Sequence, residues 1–162
     1  MLEITTMPGY ERLSNVVAYL HTAKRLMDCR KSPSEFLAEV IIQYCKILDV
    51  LFLIDSSHGS AESARIGLEE MGYNEEIEKY FIPAIYLRNQ SGAAHINIAR
   101  FSASDRRAIQ EYCKGALYHF SKLVEKCLSE SPERFRLDRP VEIRKELRRT
   151  IDAIHVNFGS QQ

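Results

Sequence analysis

The residues with the clearest chemical potential lie in the short segment 87–95, which reads LRNQSGAAH. Arg88 carries a permanent, planar charge that can hold a phosphate at two points. His95 titrates near neutrality and can act as a general acid or base. The two side chains are seven residues apart, so at about 100° per residue a continuous helix would place them on one face. With the amide of Asn89 between them, these residues predict a site for an anionic substrate.

A structural role for the same residues stays open at this point. An arginine near the C-terminal end of a helix complements the helix dipole, and a single histidine in a loop is usually solvated. The other histidines are scattered singly, and the chain has no His-Glu-x-x-His motif, no Cys/His cluster and no Gly-rich phosphate loop. The sequence therefore predicts neither a metal site nor a cofactor.

The elements that must position this segment are helical. Apolar residues recur at spacings of three and four, and they predict helices over about 10–28, 33–54, 61–71, 75–88, 103–127 and 140–156. A capping box is predicted over 32–35, a helix stop at Gly72, caps at Asn74 and Ser102, and a kink at Pro83. No segment alternates with the period of a strand. The predicted fold is all-α, with five or six helices.

Composition limits the class of protein. The 162 residues fit one domain, with a bundle over 1–131 and a basic C-terminal helix over 132–162 packed on it. The 22 basic and 22 acidic residues exclude a polycation, although basic residues outnumber acidic ones from position 81 onward. Neither a signal peptide nor an apolar run of about 20 residues is present, so we expect a cytoplasmic protein. The four cysteines then read as free, mostly buried thiols, with two disulfides as the alternative.

The segment 88–95 resembles the signature of the HEPN superfamily, which is an arginine, a polar residue, a few further residues and a histidine. Arg88, Asn89 and His95 match it with six residues between the arginine and the histidine, and the helix order over about 10–128 is similar. The resemblance implies an up-and-down helical bundle and a metal-independent endoribonuclease, commonly a toxin or antiviral defence effector. It implies a site shared across a homodimer. His95 would move a proton, Arg88 would stabilise the charged phosphorane, and Asn89 would orient the phosphate or the histidine.

Further expectations depend on this interpretation. Arg100, Arg106 and Arg107 follow the motif closely and are predicted RNA contacts. The second helix is apolar most of the way round, as an isologous dimer interface would require. His119 within the long fifth helix, with its neighbours Tyr112 and Tyr118, is assigned to packing. A basic C-terminal cluster is read as a solvated face, or else as a surface for RNA or an acidic partner: Arg134, Arg136, Arg139, Arg144, Lys145, Arg148 and Arg149.

Two alternatives to a ribonuclease remain. The first is a non-catalytic HEPN-like module that dimerises or binds a partner, such as a nucleotidyltransferase antitoxin or another defence subunit. The second is an unrelated α-helical adaptor in which the motif is a coincidence.

Overall fold

The computed structural model describes residues 10–29, 36–53, 58–90, 101–130 and 145–158, and all regular structure in these ranges is helical. This confirms the all-α prediction. The described ranges hold six α-helices and one π-helical segment: α1 (Tyr10–Met27), α2 (Leu37–Phe52), α3 (Ser60–Glu70), the π segment (Ile77–Phe81), α4 (Ile82–Gln90), α5 (Ala103–Ser129) and α6 (Lys145–Phe158).

Helix α2 lies at the centre and packs against α1, α3, α4 and α5. Eight of its residues are buried: Leu37, Val40, Ile41, Tyr44, Cys45, Ile47, Leu48 and Leu51. The apolar surface of this helix is therefore covered largely within one chain. Cover within one chain accounts for much of the apolar pattern of α2, and the homodimer stays a prediction.

Aromatic rings from three elements fill the middle of the core. The ring of Tyr44 in α2 stacks on that of Phe120 in α5, with centroids 4.4 Å apart, and Phe81 of the π segment meets Phe120 edge to face at 5.0 Å. The buried Tyr44 hydroxyl donates a hydrogen bond to the carbonyl of Cys113 at 2.8 Å. These contacts fix how α2, α5 and the π segment sit against one another.

Local signals in the sequence explain several helix ends. Gly72 has φ of +86°, and the backbone N–H groups of Gly72 and Tyr73 donate to the carbonyls of Glu69 and Leu68. This is a Schellman motif, and it confirms the predicted stop. The side chain of Ser102 accepts from the backbone N–H of Asp105, which confirms the cap of α5.

The start of α2 differs from the prediction. The helix begins at Leu37 rather than near position 33, its N-cap is Phe36, and no side-chain bond caps it. The predicted capping box at 32–35 falls outside the described residues. The described part of the last helix covers Lys145–Phe158, within the region where a helix over 140–156 was predicted, and residues 140–144 fall outside the described residues. Whether α6 packs on the bundle as part of the same domain stays a prediction.

The expected disturbance at Pro83 takes the form of the π segment immediately before it. Ile82 donates its N–H to the carbonyl of Ile77, five residues back. This wider turn relieves the clash that a proline ring makes with the preceding helical turn. The Tyr112 hydroxyl donates to the carbonyl of Tyr80 at 2.9 Å. A side chain from α5 thus satisfies a backbone carbonyl of the π segment.

Candidate functional site

Arg88 lies in the last turn of α4, and its guanidinium is held by three neighbours. Nη1 is 2.6 Å from Oδ2 of Asp49, Nη2 donates to the hydroxyl of Ser60 at 3.2 Å, and Nε approaches the amide oxygen of Asn89 at 3.4 Å. The Arg88 and Asp49 side chains are 27% and 28% exposed. This is a partly buried ion pair at the surface of the bundle.

Four helices supply this arrangement. Arg12 of α1 donates from Nε to the backbone carbonyl of Val50 at 3.1 Å, next to Asp49 in the last turn of α2. Ser60 is the first residue of α3, and Arg88 is near the end of α4. We refer to Arg12, Asp49, Ser60 and Arg88 as the Arg88 cluster. It joins the ends of α2 and α4 to the start of α3.

Electrostatics explains why two arginines gather here. The C-terminal end of α2 carries partial negative charge from carbonyls without helical partners, and Asp49 adds a full negative charge at the same end. Arg12 satisfies one of these carbonyls, and Arg88 pairs with the carboxylate. Among the described residues, the buried Oδ1 of Asp49 has no hydrogen-bond partner.

Helix α5 brings further positive charge to the same end of the bundle. Tyr112 of α5 contacts the backbone around Tyr80, and Lys126 of α5 donates to the carbonyl of Met71 at 2.6 Å, so α5 runs antiparallel to the π segment and α4. The start of α5, with Arg106 half-buried and Arg107 exposed, therefore lies toward the end where α4 finishes.

The other predicted site residues are placed as follows. Asn89 is exposed and touches Arg88. His95 and Arg100 belong to the segment 91–100, which is outside the described residues. The described structure thus places Arg88 and Asn89 together, with Arg106 and Arg107 at the same end of the bundle, and leaves the predicted position of His95 beside Arg88 untested.

Sequence reasoning did not select Asp49 or Ser60 as members of the site. A signal for Asp49 was present, because it is the one charge in the otherwise apolar run 47–54. A charged residue inside such a run requires a partner or water. Its pairing with a residue 39 positions away depends on how α2 and α4 pack, which residue spacing does not give.

The described residues contain no group of three or more His, Cys, Asp or Glu side chains that could bind a metal ion. All four cysteines are free thiols; Cys29 is half-buried and the other three are buried. Burial raises the pKa of the Cys45, Cys113 and Cys127 thiols to about 12, so these groups stay protonated at neutral pH. No described helix has an apolar stretch long enough to span a membrane.

No family model, curated protein or solved structure matches this chain. The chemistry of the site and the motif at 88–95 are therefore the basis for assigning a function.

Proposed function

We propose that this protein is a metal-independent endoribonuclease of the HEPN type, which acts as a toxin or antiviral defence effector. The observation that carries the proposal is the position of Arg88. Its guanidinium lies at the end of α4, fixed by Asp49 and Ser60, immediately before the segment that contains His95. A fixed arginine beside a titratable histidine is the minimal equipment for phosphodiester cleavage without a metal.

The N-terminal end of α3 is a second group that would attract an anion to the site at Arg88. Arg88 donates to Ser60, the first residue of α3, and the N-cap of that helix is Gly59, which provides no side-chain cap. A phosphate between Arg88 and the first turn of α3 would meet both a guanidinium and the positive end of a helix.

The proposed reaction needs one acid and one base. One His95 takes the proton from a ribose 2′-hydroxyl, and the 2′-oxygen forms a bond to phosphorus. The bond from phosphorus to the 5′-oxygen breaks as the leaving oxygen receives a proton from a second histidine. Arg88 stabilises the negative charge on the phosphorane, and Asn89 orients the phosphate or His95. In a homodimer that shares the site, His95 of each subunit would supply one of the two proton-transfer groups.

Asp49 enters the proposal as a positioning residue. The ion pair with Arg88 fixes the direction of the guanidinium before substrate arrives, which lowers the entropy cost of placing it on the phosphate. Arg100, Arg106 and Arg107 would contact the RNA backbone on either side of the cleaved bond. A cytoplasmic location and an antitoxin or defence-system partner belong to the same proposal.

One observation favours the second candidate function, a non-catalytic HEPN-like module that dimerises or binds a partner protein. The pairing of Arg88 with a partly buried carboxylate is also what a purely structural arginine does. In that case Arg88 holds α2 and α4 together, and its loss would lower stability without abolishing any reaction.

Expression in a bacterial host separates the two functions. The ribonuclease proposal predicts growth arrest by the wild-type chain and relief by His95→Ala and by Arg88→Ala, with all three proteins present at equal soluble levels. Arg107→Ala is the matched control, because it removes an exposed arginine at the same end of the bundle and should weaken the arrest only partly. Equal growth with wild type and both site variants would contradict the proposal.

A further inference from the structure

A shallow groove lies between α1 and α5, away from the Arg88 cluster. Its volume is about 380 Å³, and seven residues line it: Lys24, Lys114, Leu117, Tyr118, Ser121, Lys122 and Glu125. Lys24 comes from α1 and all the others from α5. Three of the lining side chains are cationic and one is anionic, so the groove has a positive balance.

The lysines of this groove are available to an anionic ligand. Lys114 pairs with Glu111 and Lys122 with Glu125, both at 2.7 Å and both with about half of the lysine side chain exposed. Exposed pairs three residues apart on a helix contribute little to stability. A phosphate that approaches either lysine therefore displaces a weak contact.

Tyr118 gives the groove an aromatic surface, and it corrects the expectation that this residue serves packing. It is 61% exposed, and its ring lies nearly perpendicular to that of His119, with 5.3 Å between ring centroids and 88° between planes. His119 stacks on Tyr80 at 3.7 Å, so this histidine is a half-buried packing residue, in line with its assignment. The Nζ of Lys122 lies 5.8 Å from the centre of the Tyr118 ring. The ring of Tyr118 thus contacts His119, which in turn stacks on Tyr80, and it remains largely open to solvent.

We propose that this groove binds single-stranded RNA, with a base stacked on Tyr118 and backbone phosphates on Lys24, Lys114 and Lys122. A segment of RNA has both chemical groups that the groove can recognise, since every base has a stacking face and every linkage a negative charge. An acidic peptide would use the lysines but leave the exposed ring without a role. The proposal deepens the ribonuclease function and rests on it for the identity of the ligand: the groove would hold RNA at a distance from the bond that is cut.

Binding can be measured without cleavage. A fluorescein-labelled 12-nucleotide 2′-O-methyl RNA lacks the 2′-hydroxyl that the proposed reaction uses, so the wild-type chain can be titrated with it and followed by anisotropy. Tyr118→Ala is expected to weaken binding by about 5- to 150-fold, the usual effect of removing one stacking ring. Tyr118→Phe keeps the ring and should stay within about twofold of wild type. Tyr86→Ala removes another exposed tyrosine, located on α4, and serves as the matched control.

The proposed phosphate contacts of the lysines can be tested through the salt dependence of RNA binding. For a single strand, each phosphate contact contributes about 0.7 to the slope of log K against log salt. Lys24→Ala and Lys114→Ala should each reduce the slope by about this amount. Lys46→Ala, which removes an exposed lysine that lies over the ring of Tyr19, should leave the slope unchanged.

The outcomes separate the groove from the nuclease. RNA binding that is lost with Tyr118→Ala and retained with Tyr118→Phe supports the proposal that the groove binds RNA. This holds even if the wild-type protein fails to cleave ordinary RNA, because that result would contradict only the ribonuclease function. Binding within twofold of wild type in Tyr118→Ala, Lys24→Ala and Lys114→Ala overturns the groove proposal while leaving cleavage at Arg88 and His95 untouched. Equal competition by a poly-glutamate peptide would overturn it in favour of an acidic protein partner.

Discussion

Replacing Asp49 by asparagine tests whether the ion pair with Arg88 organises the end of the bundle. The substitution keeps the size and one acceptor oxygen of the side chain but removes its charge. Nη1 of Arg88 then loses a charge-assisted hydrogen bond of 2.6 Å and keeps at most a neutral one. We expect Asp49→Asn to lower the free energy of unfolding.

The size of the effect follows from burial and from two opposing terms. Removing one partner of a fully buried ion pair costs about 3–5 kcal/mol, whereas an exposed pair contributes about 0–1 kcal/mol. Arg88 and Asp49 are 27% and 28% exposed, which places the screened loss at about 1–3 kcal/mol. Removing a negative charge from the last turn of α2 stabilises the folded protein by about 0.3–1 kcal/mol, because that end of the helix dipole is negative. Central values of about 2 kcal/mol for the loss and about 0.6 kcal/mol for the gain leave a net loss of about 1–2 kcal/mol.

A double-mutant cycle measured by chemical denaturation gives the pair energy directly. The cycle compares Asp49→Asn, Arg88→Gln and the combined variant with the wild type. The helix-dipole contribution of Asp49 cancels, because Asp49→Asn removes it both when Arg88 is present and when it is replaced. The expected coupling is about 1–3 kcal/mol, because the dipole term does not reduce it, and Asp49→Asn alone should lower the melting midpoint by about 2–8 °C. Glu111→Gln, which breaks an exposed pair with Lys114, is the control and should leave the midpoint unchanged. A coupling of zero within error would refute the structural role assigned to the Arg88–Asp49 pair.

Three further predictions concern the core. Gly67→Ala should destabilise the protein by about 1–3 kcal/mol, because a Cβ at this position would overlap the ring of Phe52. Gly115→Ala should be neutral or stabilising by up to about 1 kcal/mol, since its Cβ would meet only an ordinary contact at 3.5 Å. Thermal unfolding of the two variants tests both expectations. Tyr112→Phe should cost about 1–3 kcal/mol, because the carbonyl of Tyr80 in the π segment loses its hydrogen-bond donor. An unchanged denaturation midpoint would contradict the role of that bond. In a thiol-labelling assay at pH 8, only Cys29 should react readily in the folded protein. The other three thiols are buried, and burial raises their pKa to about 12. Fast reaction of all four thiols in native buffer would contradict the described core.

Much of the helical framework could be predicted because its signals are local. Gly72 and Ser102 mark helix boundaries through backbone and side-chain hydrogen bonds that span only a few residues. The apolar stripes of α2 and α5 follow helical periodicity, which any amphipathic or buried helix displays. Periodicity cannot say what covers an apolar stripe. Other helices of the same chain cover much of α2, and its pattern does not distinguish this cover from that of a second subunit.

The candidate site was predictable only in part, for the same reason. Arg88 and Asn89 stand out by residue type near a helix end, but the role of Asp49 depends on a contact across 39 positions. Tyr118 shows the converse, because its place in a long amphipathic helix favours packing, while the structure leaves it 61% exposed. Apart from the start of α2, the residue patterns failed mainly at contacts between distant segments.

The central claim is tested most directly by incubating purified protein with single-stranded RNA in the presence of EDTA and identifying the new ends. We predict cleavage without added metal, products with 2′,3′-cyclic phosphate and 5′-hydroxyl ends, and rates reduced by about 10²- to 10⁴-fold in both His95→Ala and Arg88→Ala. Intact RNA with the wild-type protein, or cleavage at the wild-type rate by both variants, would contradict the claim.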